Sequence, residues 1–134
     1  DFAVEIEGPR ERRLDMDEKR LRIEMKQQEA VTIVELIGDL DLSTLKEAKA
    51  SIQKQLDDNK RFFLVDLEKV GYIDSSGLGF LIGSLKKVKE RQGDLKIARL
   101  NAYMLGIFKL LNLHEVLEVY DDFDTALQAF EAGD

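Results

Sequence analysis

An α/β fold built on a mixed, mostly parallel β-sheet is predicted by three features of this sequence. Apolar runs of strand length alternate with segments of helical periodicity along most of the chain, the pattern of parallel strands joined by helical crossovers. Phe62 to Leu67 (FFLVDL) is a short apolar run suited to a buried central strand. The first two strand candidates follow one another directly, as an antiparallel hairpin does. The predicted order is β-β-α-β-α-β-α-β-α, with an N-terminal hairpin, about four helices and right-handed crossovers.

The elements are justified in turn. Phe2, Val4 and Ile6 alternate with Ala3, Glu5 and Glu7, then Gly8-Pro9 breaks the chain and Arg10 to Arg20 is dense in charge. Residues 1–20 therefore read as an arm, either an added extension or linker or a short strand on a sheet edge of this molecule or of a second copy in a homodimer. Residues 21–132 read as the folded domain. Leu21, Ile23 and Met25 alternate with charged residues, Gln27-Gln28-Glu29 turns the chain, and Val31 to Ile37 returns. Thr44 with Glu47 three residues later fits a capping box, and Leu45, Ala48, Ile52 and Leu56 mark one apolar helix face.

After the central strand, a second helix is expected from about Ser75 to Arg91, with Leu78, Leu81, Ile82, Leu85 and Val88 facing the core. Gln92-Gly93-Asp94 stops it, and Leu95 to Leu100 is the next strand. A third helix starts near Ala102 and ends at Asn112, which tolerates the left-handed conformation. Val116 to Tyr120 reads as the last strand. Asp121 or Asp122 caps a final helix in which Phe123, Ala126, Leu127 and Phe130 follow the i, i+3, i+4, i+7 rule.

Composition narrows the function. The 134 residues suit one domain, and 44% hydrophobic with 35% charged residues is a globular balance. A net charge of −7 argues against nucleic acid and against anionic membrane surfaces, both of which select for excess Lys and Arg. With no cysteine there is neither a disulfide framework nor a thiolate metal site, and a cytoplasmic location fits. The longest apolar run falls far short of the roughly 20 residues of a membrane helix, and no signal peptide is recognisable.

No catalytic constellation, metal site or cofactor motif is expected. His114 is the one histidine, and it stands near a helix end where a capping or surface role is the ordinary one. A nucleophile elbow needs small residues two positions either side of its serine. Ser75 is flanked there by Ile73 and Gly77, and Ser76 by Asp74 and Leu78. Gly77, Gly79 and Gly83 do not follow a strand directly, so a dinucleotide loop is disfavoured. Gly79 and Gly83, four apart, read instead as a helix face that lets a neighbour approach closely. The stretch Tyr72-Ile73-Asp74-Ser75-Ser76-Gly77-Leu78-Gly79 remains. Asp and Ser are good N-caps, but the doubled hydroxyl and the following glycine exceed what a cap needs. A helix N-terminus would also stabilise a phosphate on Ser75.

These residues resemble a known family. Leu36-Ile37-Gly38-Asp39-Leu40-Asp41, the block from Val65-Asp66-Leu67 through Tyr72 to Gly79, and Leu95-Lys96-Ile97 through Leu113 are similar to the STAS domain of bacterial anti-sigma factor antagonists. The resemblance runs from about Leu21 to Phe130. It implies a switch by partner exchange. The serine after the motif aspartate, Ser75 here with Ser76 as the secondary hydroxyl, would be phosphorylated by an anti-sigma factor that is an ATP-dependent serine kinase. A serine phosphatase would reverse this. The unmodified form would hold the anti-sigma factor and free the sigma factor. Asp39, Asp41, Asp74, Ser76, Gly77 and Leu78 would line the partner surface. The resemblance also admits a scaffold subunit of a stress-signalling complex or the cytosolic STAS domain of an anion transporter. A small nucleotide-using enzyme is the reading from the enzyme class.

One stretch departs from the family pattern. In NAYMLGIFKLLNL, Leu105 and Gly106 stand where Lys or Arg is expected. Ile107, Leu111 and Phe108 can serve the core, which leaves Leu105 for the arm to cover or for a partner to bind.

Overall fold

The computed structural model describes residues 20–132. The predicted arm, with its strand at residues 2–7 and its homodimer contact, lies outside the described residues apart from Arg20. Five strands form one sheet in the order β1-β2-β3-β4-β5. β1 (Leu21–Gln28) and β2 (Val31–Leu40) pair antiparallel, from Leu21 opposite Gly38 to Gln28 opposite Val31. Glu29 takes the left-handed conformation (φ 54°) that so short a connection demands. β3 (Phe62–Ile73), β4 (Asp94–Ala98) and β5 (Glu118–Tyr120) then add in parallel.

Each crossover steps the same way across the sheet. Right-handedness therefore places α1 (Leu45–Asp57), α2 (Ser75–Glu90) and α3 (Ala102–Leu110) on one face. Their inward residues, among them Ala48, Ile52, Leu56, Leu81, Val88, Met104 and Phe108, share one core with Val34, Leu36, Phe63, Val65 and Leu67 of the sheet. Each fully buried leucine stabilises this core by about 2 kcal/mol. α4 (Phe123–Ala132) covers the opposite face, where Ala126 packs with Val31, Ile33, Leu64 and Ala98 and is flanked by Phe123, Leu127 and Phe130. Asp122 starts α4 by accepting from the Thr125 N–H at 2.7 Å.

Several boundaries differ from those expected, each for a physical reason. β3 runs on from Leu67 to Ile73. β4 stops at Ala98, opposite Asp66, so residues 67–73 pair on one side with β2 alone. Two register shifts in that pairing bury Leu67, Val70 and Ile73 at intervals of three, and the period-2 signal is lost. β4 and β5 are shorter than predicted because Arg99 (φ 68°) and a 3-10 turn (Leu113–Glu115) divert the chain. Asn112 does take the left-handed conformation (φ 58°) after α3. In α3 the buried residues are Met104 and Phe108, whereas Leu111 is exposed and Ile107 half-buried. The stripe facing the core is thus set one residue from the one expected, and Tyr103, Leu110 and Leu111 are the side chains left outside rather than Leu105.

Candidate functional site

The C-terminal ends of β2 and β3 lie side by side, Asp39 opposite Tyr72 and Leu40 opposite Ile73. Gly38 makes that end of β2 feasible. It adopts φ 123°, and a Cβ there would lie 2.1 Å from the Arg20 carbonyl oxygen. Both strands then enter helices, β2 through the turn Asp41–Thr44 into α1 and β3 through Asp74 into α2.

Asp74 is the knot between the two exits. Its backbone is extended, and its Oδ1 accepts from the Gly77 N–H at 3.0 Å, the N-cap bond of α2. Its Oδ2 accepts from the Leu42 N–H at 3.2 Å in the neighbouring turn. Its own N–H donates to the Leu40 carbonyl at 3.3 Å. One carboxylate therefore fixes the start of α2 against the turn before α1. Gly77 is buried at this junction, and a Cβ would stand 2.4 Å from the Leu40 carbonyl oxygen and 2.7 Å from Ile73 Cγ1. Close backbone approach is the reason for glycine here. Gly77 is buried, and its N–H is occupied by Asp74. The close approach expected at Gly79 and Gly83 is not found; nothing stands within 4 Å of a Cβ at either.

The turn before α1 is built differently. Asp41 Oδ1 accepts from the Ser43 hydroxyl at 2.7 Å, the Ser43 N–H at 2.9 Å and the Thr44 N–H at 3.2 Å. The Ser43 hydroxyl foremost, then these backbone donors and the charge of Arg20, hold the Asp41 carboxyl below the usual carboxylate range against its partial desolvation. Thr44 occupies the N-cap position but makes no side-chain cap, so the predicted capping box with Glu47 does not form. Its buried hydroxyl donates to the Asp39 carbonyl at 2.8 Å and accepts from the Asp41 N–H at 3.1 Å. The turn's own backbone groups outcompete the helix for it.

Ser75 is exposed and Ser76 half-buried in the first turn of α2. Among the described residues, neither hydroxyl and neither N–H of this pair has a hydrogen-bond partner. Asp39 and Asp41 are half-buried at the C-terminal end of β2 and in the turn that follows it, and Leu78 is half-buried against the core. Leu105 is half-buried on α3, and no hydrogen bond among the described residues joins that helix to the Asp41 or Asp74 loops. His114 is exposed in the 3-10 turn, and no group of His, Asp or Glu among the described residues could hold a metal ion. Buried Asp66 is structural: Arg99 Nε and Nη2 reach its two oxygens at 3.1 and 2.5 Å. Sequence reasoning passed over Leu42, which is 71% exposed in the turn before α1. Its position between Asp41 and Ser43 in a non-periodic segment was the available signal.

The match to known proteins falls on this framework. The family model of the STAS domain matches residues 22–126. The chain belongs to the STAS domain family. An anti-sigma-B factor antagonist of Staphylococcus aureus is 30% identical over 99 residues, 74% of this chain and 92% of that protein. An anti-sigma F factor antagonist of Paenibacillus polymyxa is 26% identical over 112 residues, 83% of this chain and 96% of that one. Among solved structures, an anti-sigma factor antagonist from Mycobacterium paratuberculosis superimposes with a TM-score of 0.72 at 23% identity, covering 81% of this chain and 92% of that chain. This STAS domain stands with regulatory binding proteins rather than enzymes. No helix among the described residues is long and apolar enough to cross a membrane.

Proposed function

We propose that this chain is an anti-sigma factor antagonist whose hold on its anti-sigma factor is set by phosphorylation of Ser75. The observation that carries the reading is a hydroxyl that the fold does not use, exposed at the first turn of α2. The relatives that span nearly their whole length on this chain bear the antagonist name. The anti-sigma factor acts as an ATP-dependent serine kinase: the Ser75 oxygen attacks the γ-phosphorus of ATP, ADP leaves, and the serine proton is released. A serine phosphatase returns the hydroxyl by hydrolysis.

The electrostatics make the modification tolerable to the fold and intolerable to the complex. A phosphate brings about −1.5 to −2 charges. In the isolated chain it sits at a helix N-terminus, where the macrodipole and the unpaired N–H groups of Ser75 and Ser76 favour an anion. In the complex the same phosphate, beside Asp39, Asp41 and Asp74, meets the nucleotide phosphates of the kinase and loses its water. Repulsion and desolvation together weaken docking on the order of 3 kcal/mol, about a hundredfold.

Titration calorimetry with the cognate anti-sigma factor tests this. Ser75→Ala is expected to bind as the wild type does and to accept no phosphate at that position. Ser75→Asp is expected to bind far more weakly while melting at the same temperature. Undiminished binding by Ser75→Asp contradicts the switch.

A further inference from the structure

Leu42 is an exposed leucine in a turn with little freedom to move. Its N–H is held by Asp74 Oδ2. On one side Asp41 gathers the Ser43 hydroxyl and the N–H groups of Ser43 and Thr44. Beneath it, the buried Thr44 hydroxyl bridges the Asp39 carbonyl and the Asp41 N–H. A flexible loop would fold a leucine back onto apolar surface to shed water. This turn instead leaves the side chain 71% exposed, on a backbone held by the hydrogen bonds of Asp74, Asp41 and Thr44. The Asp74 carboxylate that restrains Leu42 with one oxygen starts the Ser75 helix with the other. The leucine and the serine are therefore fixed relative to each other.

We propose that Leu42 is the apolar anchor of the anti-sigma factor interface, entering a pocket on that protein whose rim carries Lys or Arg opposite Asp39 and Asp41. The inference rests on the reading of Ser75 as the switch and names the part of the surface that the switch controls. Charge complementarity argues for the cationic rim, because Asp39 and Asp41 closely precede the leucine on a chain of net charge −7. Pre-organisation argues for the anchor: a backbone already held in one conformation loses little freedom on binding. The location supplies a mechanism for release. A phosphate on Ser75 carries a tightly held water shell next to the surface that must be dried for Leu42 to enter its pocket.

The test compares two exposed leucines in binding to the purified cognate anti-sigma factor. Leu42→Ala is expected to weaken binding at least about tenfold and to raise the KM for phosphorylation of Ser75, with an unchanged melting temperature. Leu110→Ala, at the far end of α3 and 81% exposed, is expected to bind as the wild type. If Leu42→Ala binds normally while Ser75→Asp is weakened, the anchor is overturned and the switch stands. Equal weakening by Leu42→Ala and Leu110→Ala also overturns the anchor, because general surface hydrophobicity then explains the loss. If the wild type fails to bind the anti-sigma factor, the switch reading falls and this inference falls with it.

Discussion

Two helices start at the same edge of this sheet from similar residues, Asp41-Leu42-Ser43-Thr44 before α1 and Asp74-Ser75-Ser76-Gly77 into α2. Their hydroxyls have opposite fates. At the first start, Ser43 donates to Asp41 and Thr44 is buried between two backbone groups. At the second, Asp74 alone does the capping, through backbone N–H groups, and the serines keep their hydroxyls. The difference comes from Gly77. Without a Cβ it lets α2 sit against the Leu40 carbonyl, so Asp74 can reach the N–H groups of both Gly77 and Leu42. Aspartate and serine before a helix thus build a structural turn in one place and leave hydroxyls unengaged in the other.

The largest effect on the fold is expected where that difference originates. Gly77→Ala drives a Cβ into a backbone oxygen that cannot yield cheaply, and a loss of about 2–3 kcal/mol in urea unfolding is expected. Gly79→Ala, two residues on and facing open space, should instead stabilise by about 0.5–1 kcal/mol. Equal effects from the two substitutions would remove Gly77 from the explanation.

The hydroxyls come next. Thr44→Val leaves the Asp39 carbonyl and the Asp41 N–H without their partner and should cost about 1–2 kcal/mol. Ser75→Ala should change stability by less than about 0.5 kcal/mol. A large loss from Ser75→Ala would mean that its hydroxyl serves the fold after all, and the contrast between the two starts would vanish.

The smallest effect is electrostatic. The Asp41 carboxyl titrates lower in the folded chain than its ordinary value, so its ionised form favours folding. That contribution is present above about pH 4 and is lost as pH falls through the lowered folded value. Ser43→Ala removes the foremost cause and should move the Asp41 titration upward, read from its carboxyl carbon by NMR. An unmoved titration would show that the backbone donors suffice.

The order of elements and the face of α1 were readable from sequence because that helix covers one side of the sheet and repeats its apolar residues at the matching period. Leu45, Ala48, Ile52 and Leu56 illustrate this. On α2, Leu81 and Val88 are buried as expected, but the buried side also takes in Phe80 and Ser84, while Leu78, Ile82 and Leu85 are half-buried. The end of β3 was not readable. Residues 67–73 have a neighbour on one side alone, and two register shifts scramble their alternation. The inward side of α3 was misread by one position, since a helix apolar on several sides does not announce which side is buried. At the candidate site the motif located a helix start, with Asp74 as N-cap and Ser75 as the first helical residue. It could not show which hydroxyls would be engaged. Thr44 looked like a cap and became a buried strut, because its competing partners lie in the folded-back turn. Leu42 was marked only by its place between two polar residues in a non-periodic segment, a weak signal beside the periodic ones.

The contrast between the two helix starts is tested most directly by mapping the phosphate. The full chain is incubated with ATP and its cognate anti-sigma factor, and the sites of modification are located by tandem mass spectrometry. A single phosphate on Ser75, with Ser43 untouched, is the predicted result. Phosphate on Ser43, or a kinase that binds the chain and leaves Ser75 unmodified, would contradict the account.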